Sequence, residues 1–236
     1  MKYSIIIPCY NEEMNIHGLV ETLDFVRGDR NIEYILVENG SKDRTGECLK
    51  RECDGRRQFQ IVFVEKNIGY GYGVVQGIKV AQGDYIGWLH ADLQVNPAEM
   101  IQFTDFIEES GDKTDYFLKG IRQNRRLFDR FFTAGMTVYA SIMLGTYVYD
   151  IGAIPVLFHR SLLERLDGKI PYDFSIETYV YYKAKKSNLC IKRFPVALER
   201  RKKGQSSWDK GLSSKICQSK IIMNDIRKIK KGELVR

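Results

Sequence analysis

Short β-rich runs alternate with stretches of helical spacing through the first half of the chain. That alternation points to a mostly parallel sheet flanked by helices. Residues 3–7, 34–38, 60–64 and 84–89 are predicted strands, and residues 13–26, 45–53 and 73–81 carry helical spacing between them. Asn39-Gly40, Asn67 to Gly69 and Gln82-Gly83 supply the turn chemistry. Asn96-Pro97 opens a further helix, because proline suits a first helical turn, and residues 116–118 are predicted as a fifth strand. The second half is less regular, with a long apolar helix around residues 127–147, a strand at 154–158, a helix near 175–186 and a strand at 190–196. After Gly211, the residues Leu212, Ile216, Ile222, Met223, Ile226 and Ile229 recur at helical spacing among lysines and arginines. This predicts an α/β domain over residues 1–210, Rossmann-like in its sheet, followed by a basic amphipathic helix over residues 211–236.

The charge is uneven. The 236 residues carry a formal charge of +7, yet residues 200–236 hold 12 basic and 3 acidic side chains, so the rest of the chain is slightly acidic. A basic tail raises nucleic-acid binding, but its only aromatic is Trp208, and single-strand binding needs aromatics interleaved with the charges. No nucleic-acid partner is expected. The five cysteines are an odd set with no Cys-x-x-Cys pair, which fits neither a disulfide framework nor a zinc site and implies a reducing, cytoplasmic setting. The start of the chain lacks the apolar run of a signal peptide. Residues 131–149 are uncharged and approach the length of a membrane span, but their glycines, threonines and tyrosines favour a buried or interfacial helix.

In a parallel α/β sheet, ligands bind beyond the carboxyl ends of the strands, and the unusual residues collect there. The first strand runs into Pro8-Cys9-Tyr10-Asn11-Glu12, the second into Glu38-Asn39-Gly40-Ser41, and the fourth into His90-Ala91-Asp92-Leu93-Gln94. Each segment alone could be an ordinary turn or helix cap; three on one sheet edge suggest a site. Gly69, Gly71 and Gly73 precede a helix at alternate positions, where missing side chains would allow backbone to approach a phosphate or sugar. The dinucleotide-binding fingerprint and the Walker lysine motif are both absent.

In this order, Pro-Cys-Tyr-Asn-Glu, Glu-Asn-Gly-Ser, the glycine turn, His-Ala-Asp-Leu-Gln and a late Arg201-x-x-Gly204-x-Ser206 resemble the family-2 glycosyltransferases, particularly the dolichyl-phosphate mannosyltransferase-like branch. The resemblance covers roughly residues 3–208. It implies the glycosyltransferase-A fold, a nucleotide-diphosphate sugar donor, Mg2+ or Mn2+, and an enzyme that transfers the sugar with inversion. It places Pro8, Tyr10, Asn11, Glu12, Asn39 and Gly71 at the nucleotide-sugar, with His90 and Arg122 towards the phosphates. Asp92, Gln94 and His90 stand at the metal motif, and Asp92, Glu177 and Arg201 are the catalytic candidates.

Two departures from the family pattern stand out. Glu38 and Asn39 replace a pair of aspartates, which leaves the base preference open, and His90 replaces the first aspartate of the metal motif. On extended backbone His90, Asp92 and Gln94 share a face, and Mg2+ and Mn2+ prefer oxygen, so Asp92 is the first expected ligand and Gln94 the second. His90 is expected to donate to a diphosphate or sugar, with ligation or an ordinary strand-end histidine as alternatives. Arg122 lies in a basic segment, residues 119–126, that could equally be a solvated loop. Glu177 is either a general base or a helix-capping acid beside Ser175.

The acceptor follows from the branch as a polyprenyl phosphate or related lipid-linked molecule. The alternative is a saccharide hydroxyl in surface-glycan assembly, and a non-catalytic sugar-nucleotide binder is a third reading. The tail helix is expected either to hold the protein at the inner face of a membrane through residues 212–236, or to pack its apolar stripe on the domain or on a second copy in a homo-oligomer.

Overall fold

The structure is a computed structural model that describes residues 2–123, 127–166, 168, 170–199 and 212–233. Seven strands form one sheet in the order β3-β2-β1-β4-β6-β5-β7. They are β1 (Tyr3–Cys9), β2 (Ile32–Asn39), β3 (Phe59–Val64), β4 (Tyr85–Trp88), β5 (Tyr116–Gln123), β6 (Val156–His159) and β7 (Cys190–Ala197). Only β6 runs against its neighbours, β4 and β5; every other pairing is parallel. Six carboxyl ends therefore lie along one edge, and the segment entering β6 begins at that same edge.

Helices α1 (Glu13–Arg27), α2 (Thr45–Cys53), α3 (Tyr70–Val80), α4 (Ile101–Glu109), α5 (Leu127–Leu144), α6 (Ser175–Lys186) and α7 (Leu212–Lys231) cover the two faces. The strand period of two sorts the core. From β1, Tyr3, Ile5, Ile7 and Cys9 join the helices α1, α2 and α4 through residues such as Leu19, Leu49 and Phe103. Ile6 points the other way and joins Val74 of α3, Ala140 of α5, Ile176 of α6 and Ile226 of α7. This two-sided burial covers every residue of β1 and β2, which are mostly apolar, as a sheet with helices on both faces requires.

Two expectations need correction. The fifth strand is longer than residues 116–118, because Lys119 to Gln123 continue the ladder against β7. These residues are strand, so no solvated loop begins at Lys119. The glycine-containing helix starts at Tyr70, and Gly71 and Gly73 lie inside its first turn instead of ahead of it. Of the two readings of the tail helix, the described side chains follow the packing one: Ile226 and Ile229 are buried in the domain core, α7 packs on α5 and α6, and the Tyr139 hydroxyl donates to the Met223 carbonyl at 3.3 Å. Among the described residues, no helix is long and apolar enough to cross a membrane.

Candidate active site

The loops after β1 and β2 are sewn together. Asn11, with a left-handed φ of 54°, accepts from the Lys42 amide at 2.8 Å through Oδ1, and its own amide donates to Ser41 Oγ at 3.1 Å. The Glu12 amide donates to Thr45 Oγ1 at 2.8 Å, and its carboxylate accepts from Asn15 Nδ2 at 2.6 Å. Glu38 accepts from the amides of Gly40 and Ser41 at 3.3 and 2.7 Å, so this acid shapes its own turn. Pro8 is buried at the end of β1, whereas Tyr10 and Asn11 are exposed at the rim. Asn39 is buried, its Nδ2 donating to the Gly69 carbonyl at 3.1 Å while Oδ1 has no hydrogen-bond partner. Its amide thus faces the glycine turn.

The glycine turn meets the protein itself. A Cβ on Gly69 would collide with the Tyr172 carbonyl, and one on Gly71 would collide with the Pro171 carbonyl and sit 2.6 Å from that of Asp173. The Tyr72 amide donates to the Tyr172 carbonyl at 3.0 Å. Gly71 is therefore filled by the 171–173 segment, and the expectation that it opens space for a phosphate is corrected.

That close approach brings the start of α6 against β4 and builds an aromatic box. Glu177 is 4% exposed; its Oε1 accepts from Trp88 Nε1 at 2.7 Å and from the Tyr70 hydroxyl at 3.2 Å, while Oε2 is buried with no hydrogen-bond partner. Burial, reinforced by the Glu177 charge, pushes the Tyr70 hydroxyl well above its ordinary pKa, so it stays protonated and remains a donor. The Tyr70 ring stacks on Phe174 at 4.8 Å and meets the His90 ring edge-on at 5.0 Å. His90 Nε2 is buried with no hydrogen-bond partner among the described residues. Sequence reasoning missed Trp88, Tyr70 and Phe174 as members of the site. Tyr70 lies in the glycine turn and Trp88 in the fourth predicted strand, but nothing local says that they and Phe174 converge on Glu177 and His90.

Asp92 lies on the turn after β4, where Oδ1 accepts from the Gln94 amide at 3.1 Å, and its charge reaches Tyr70. The Gln94 side chain donates to the Glu199 carbonyl at 3.4 Å, and the Glu199 amide donates to the Gln94 carbonyl at 2.8 Å, tying this turn to the end of β7. Mg2+ is commonly held by one or two carboxylates and completes its shell with substrate phosphate and water. Asp92 together with a phosphate-bearing substrate fits that pattern. A separate grouping of His17, Glu21 and Glu52 lies between α1 and α2, but Arg56 and Arg51 already pair with its two acids.

Arg122 is engaged elsewhere than the sequence suggests. Its guanidinium forms a two-pronged pair with the buried carboxylate of Asp150, which also accepts the Arg122 amide at 3.2 Å. Behind it, Lys119 is fully buried and donates to the Ala153 carbonyl. Burial pulls its ammonium down to about 8, against the opposing charge of Glu177. Arg201, Gly204 and Ser206 lie outside the described residues.

Residues 4–166 match the profile of glycosyl transferase family 2, and the chain belongs to that family. The undecaprenyl-phosphate 4-deoxy-4-formamido-L-arabinose transferase of Pseudomonas paraeruginosa is 27% identical over 169 residues, 69% of this chain and 48% of that protein. The dolichol-phosphate mannosyltransferase of Pyrococcus furiosus is 32% identical over 112 residues, 48% of this chain and 32% of that protein. The chain thus spans half or less of the length of these relatives. Glucosyl-3-phosphoglycerate synthase from Mycobacterium tuberculosis, solved with Mn2+, UDP and glucosyl-3-phosphoglycerate, superposes with a TM-score of 0.72 over 98% of this chain and 80% of its own, at 15% identity. That likeness shows the fold, which is the glycosyltransferase-A arrangement.

Proposed function

We propose that this protein transfers a sugar, with inversion, from a nucleotide-diphosphate sugar to a polyprenyl phosphate. The relatives named for undecaprenyl-phosphate and dolichol-phosphate transfer support the acceptor class, and the neighbour solved with UDP and Mn2+ supports the donor class. In the reaction, an oxygen of the acceptor phosphate forms a bond to the anomeric carbon from the face opposite the diphosphate. The bond from that carbon to the donor's β-phosphate oxygen breaks, and the nucleoside diphosphate leaves with the electron pair. Tyr10 and Asn11 at the rim, with Pro8, Glu12 and Asn39 behind them, are the proposed nucleoside wall. Asp92, seconded by Gln94, would hold Mg2+ or Mn2+, which neutralises charge on the leaving diphosphate. His90 would donate to phosphate or sugar, and Arg201 to the diphosphate through its planar fork.

The observation that carries the acceptor choice is the state of Glu177. A general base must reach the proton that it removes, but Glu177 is buried, with one oxygen held by Trp88 and Tyr70. An anionic phosphate needs no base. The unpartnered Oε2 favours the second reading, a saccharide hydroxyl whose proton that oxygen would take.

Glu177→Gln decides between them, since the amide oxygen still accepts from Trp88 and Tyr70. With a phosphate acceptor, turnover should stay within about tenfold of wild type; with a hydroxyl acceptor, it should fall about 100-fold or more. Asp92→Asn should nearly abolish transfer to either acceptor with folding intact, and near-normal turnover would defeat the metal assignment.

A further inference from the structure

The tail helix was the sequence's candidate for membrane contact, yet Ile226 and Ile229 of its apolar stripe are buried in the domain core. A second apolar stripe on α5 is not. Phe131, Val138 and Ile142 are 77%, 59% and 73% exposed, with the exposed Ala134 and Gly135 between them. At 100° per residue these five positions fall within one sector of about 100°, and the stripe runs about 17 Å along the helix. A Cβ added at Gly135 would meet nothing within 4 Å. Beyond the helix, Tyr147 is also exposed, and no residue from Phe131 to Tyr149 is charged. Among the described residues, the other exposed large apolar side chains on helices and strands are Met14 and Phe25 near opposite ends of α1, Phe63 on β3 and Ile221 on α7. A contiguous apolar strip rimmed by polar residues marks a contact surface.

We propose that this strip is where the protein docks on an anionic lipid bilayer. Two features select that occupant. First, α7 packs on α5 and exposes Lys220, Arg227, Lys230 and Lys231, cationic side chains on the neighbouring helix that complement anionic headgroups. Two copies paired through α5 would instead bring two such cationic helices together. Second, α5 lies in the connection between β5 and β6, and the Arg122–Asp150 pair joins the site-edge end of β5 to the segment that leads into β6. The strip is therefore rooted at the edge where the donor site opens. The tail's lysines and the α5 strip together would do the work that one of the two sequence readings gave to α7 alone. The inference rests on the polyprenyl-acceptor reading for its purpose, since such an acceptor lies in a membrane.

The test is co-sedimentation of the full chain with phosphatidylcholine vesicles with and without phosphatidylglycerol. Wild type should bind the anionic vesicles, less at high salt, and Val138→Glu with Ile142→Glu should weaken binding about tenfold or more. Val138→Ser with Ile142→Ser should weaken it in the same direction, and an unchanged melting temperature in either pair shows that the fold is intact. Replacing Lys220, Arg227 and Lys231 by Gln should also weaken binding. The proposal is overturned if wild type stays in the supernatant at low salt, or if both stripe variants bind as wild type does. It is likewise overturned if light scattering shows a wild-type dimer that the stripe variants dissolve, which would make the occupant a second copy. Transfer to a short, water-soluble isoprenyl phosphate should be the same in wild type and stripe variants. If wild type fails there but still binds vesicles, the acceptor reading falls and the docking surface stands.

Discussion

Gly71→Ala separates two roles for the glycine turn. The added methyl would collide with the Pro171 carbonyl and stand 2.6 Å from the Asp173 carbonyl, closer than the 3.0 Å that real Cβ atoms respect. Both obstacles are backbone, so relief requires the 171–173 segment to move away from α3, at an overpacking cost of about 1–3 kcal/mol. That movement would also stretch the bond from the Tyr72 amide to the Tyr172 carbonyl, worth about 1 kcal/mol. Against this stands the better helix propensity of alanine, at most about 1 kcal/mol. The net destabilisation is about 1–3 kcal/mol, which for a chain of this length lowers the melting temperature by roughly 2–12 °C. Because the segment leads directly into α6, Glu177 should shift against Tyr70 and transfer should slow as well. Thermal unfolding with and without nucleotide-sugar is the assay. A variant as stable as wild type, or more so, with weakened donor affinity would refute the reasoning, because the glycine would then be making room for phosphate after all.

Arg122→Ala should cost up to about 3–5 kcal/mol of stability, because it removes a two-pronged cationic partner from the buried Asp150 carboxylate; a stable variant with only weakened donor binding would restore the phosphate role. The Lys119 ammonium, lowered by burial to about 8, is disfavoured in the folded state, so its penalty is full below pH 8 and lifts as pH rises towards its unfolded value near 10.5. Stability measured by urea unfolding should therefore gain up to about 3 kcal/mol between pH 7 and 10 relative to Lys119→Met, and parallel profiles would count against it. Burial and then the nearby Asp173 raise the Asp225 carboxyl to about 6, so the stability that it contributes is present at pH 4 and lost as pH rises through 6. Asp225→Asn should raise the melting temperature at pH 7.5 and change it little at pH 4; equal shifts at both would sink the assignment.

The sequence by itself determined whatever depends on short stretches. The apolar runs of β1 and β2, the helix limits at Thr45, Cys53, Ser175 and Lys186, and the polar turns after β1, β2 and β4 follow from local periodicity and turn chemistry. The ordered motifs also carried the family. Tertiary structure decided everything that depends on which segments become neighbours. Glu177 meets Trp88 and Tyr70 across 89 and 107 residues, the glycine turn meets 171–173, Arg122 meets Asp150, and Ile226 and Ile229 of α7 reach the core while Phe131, Val138 and Ile142 of α5 do not. Each pairing is set by strand order, above all by the reversed β6 between β4 and β5, which returns the chain to the carboxyl edge. An amphipathic pattern states only that a face is apolar. Whether protein covers that face depends on the packing of elements far apart in the chain, and no local pattern encodes it.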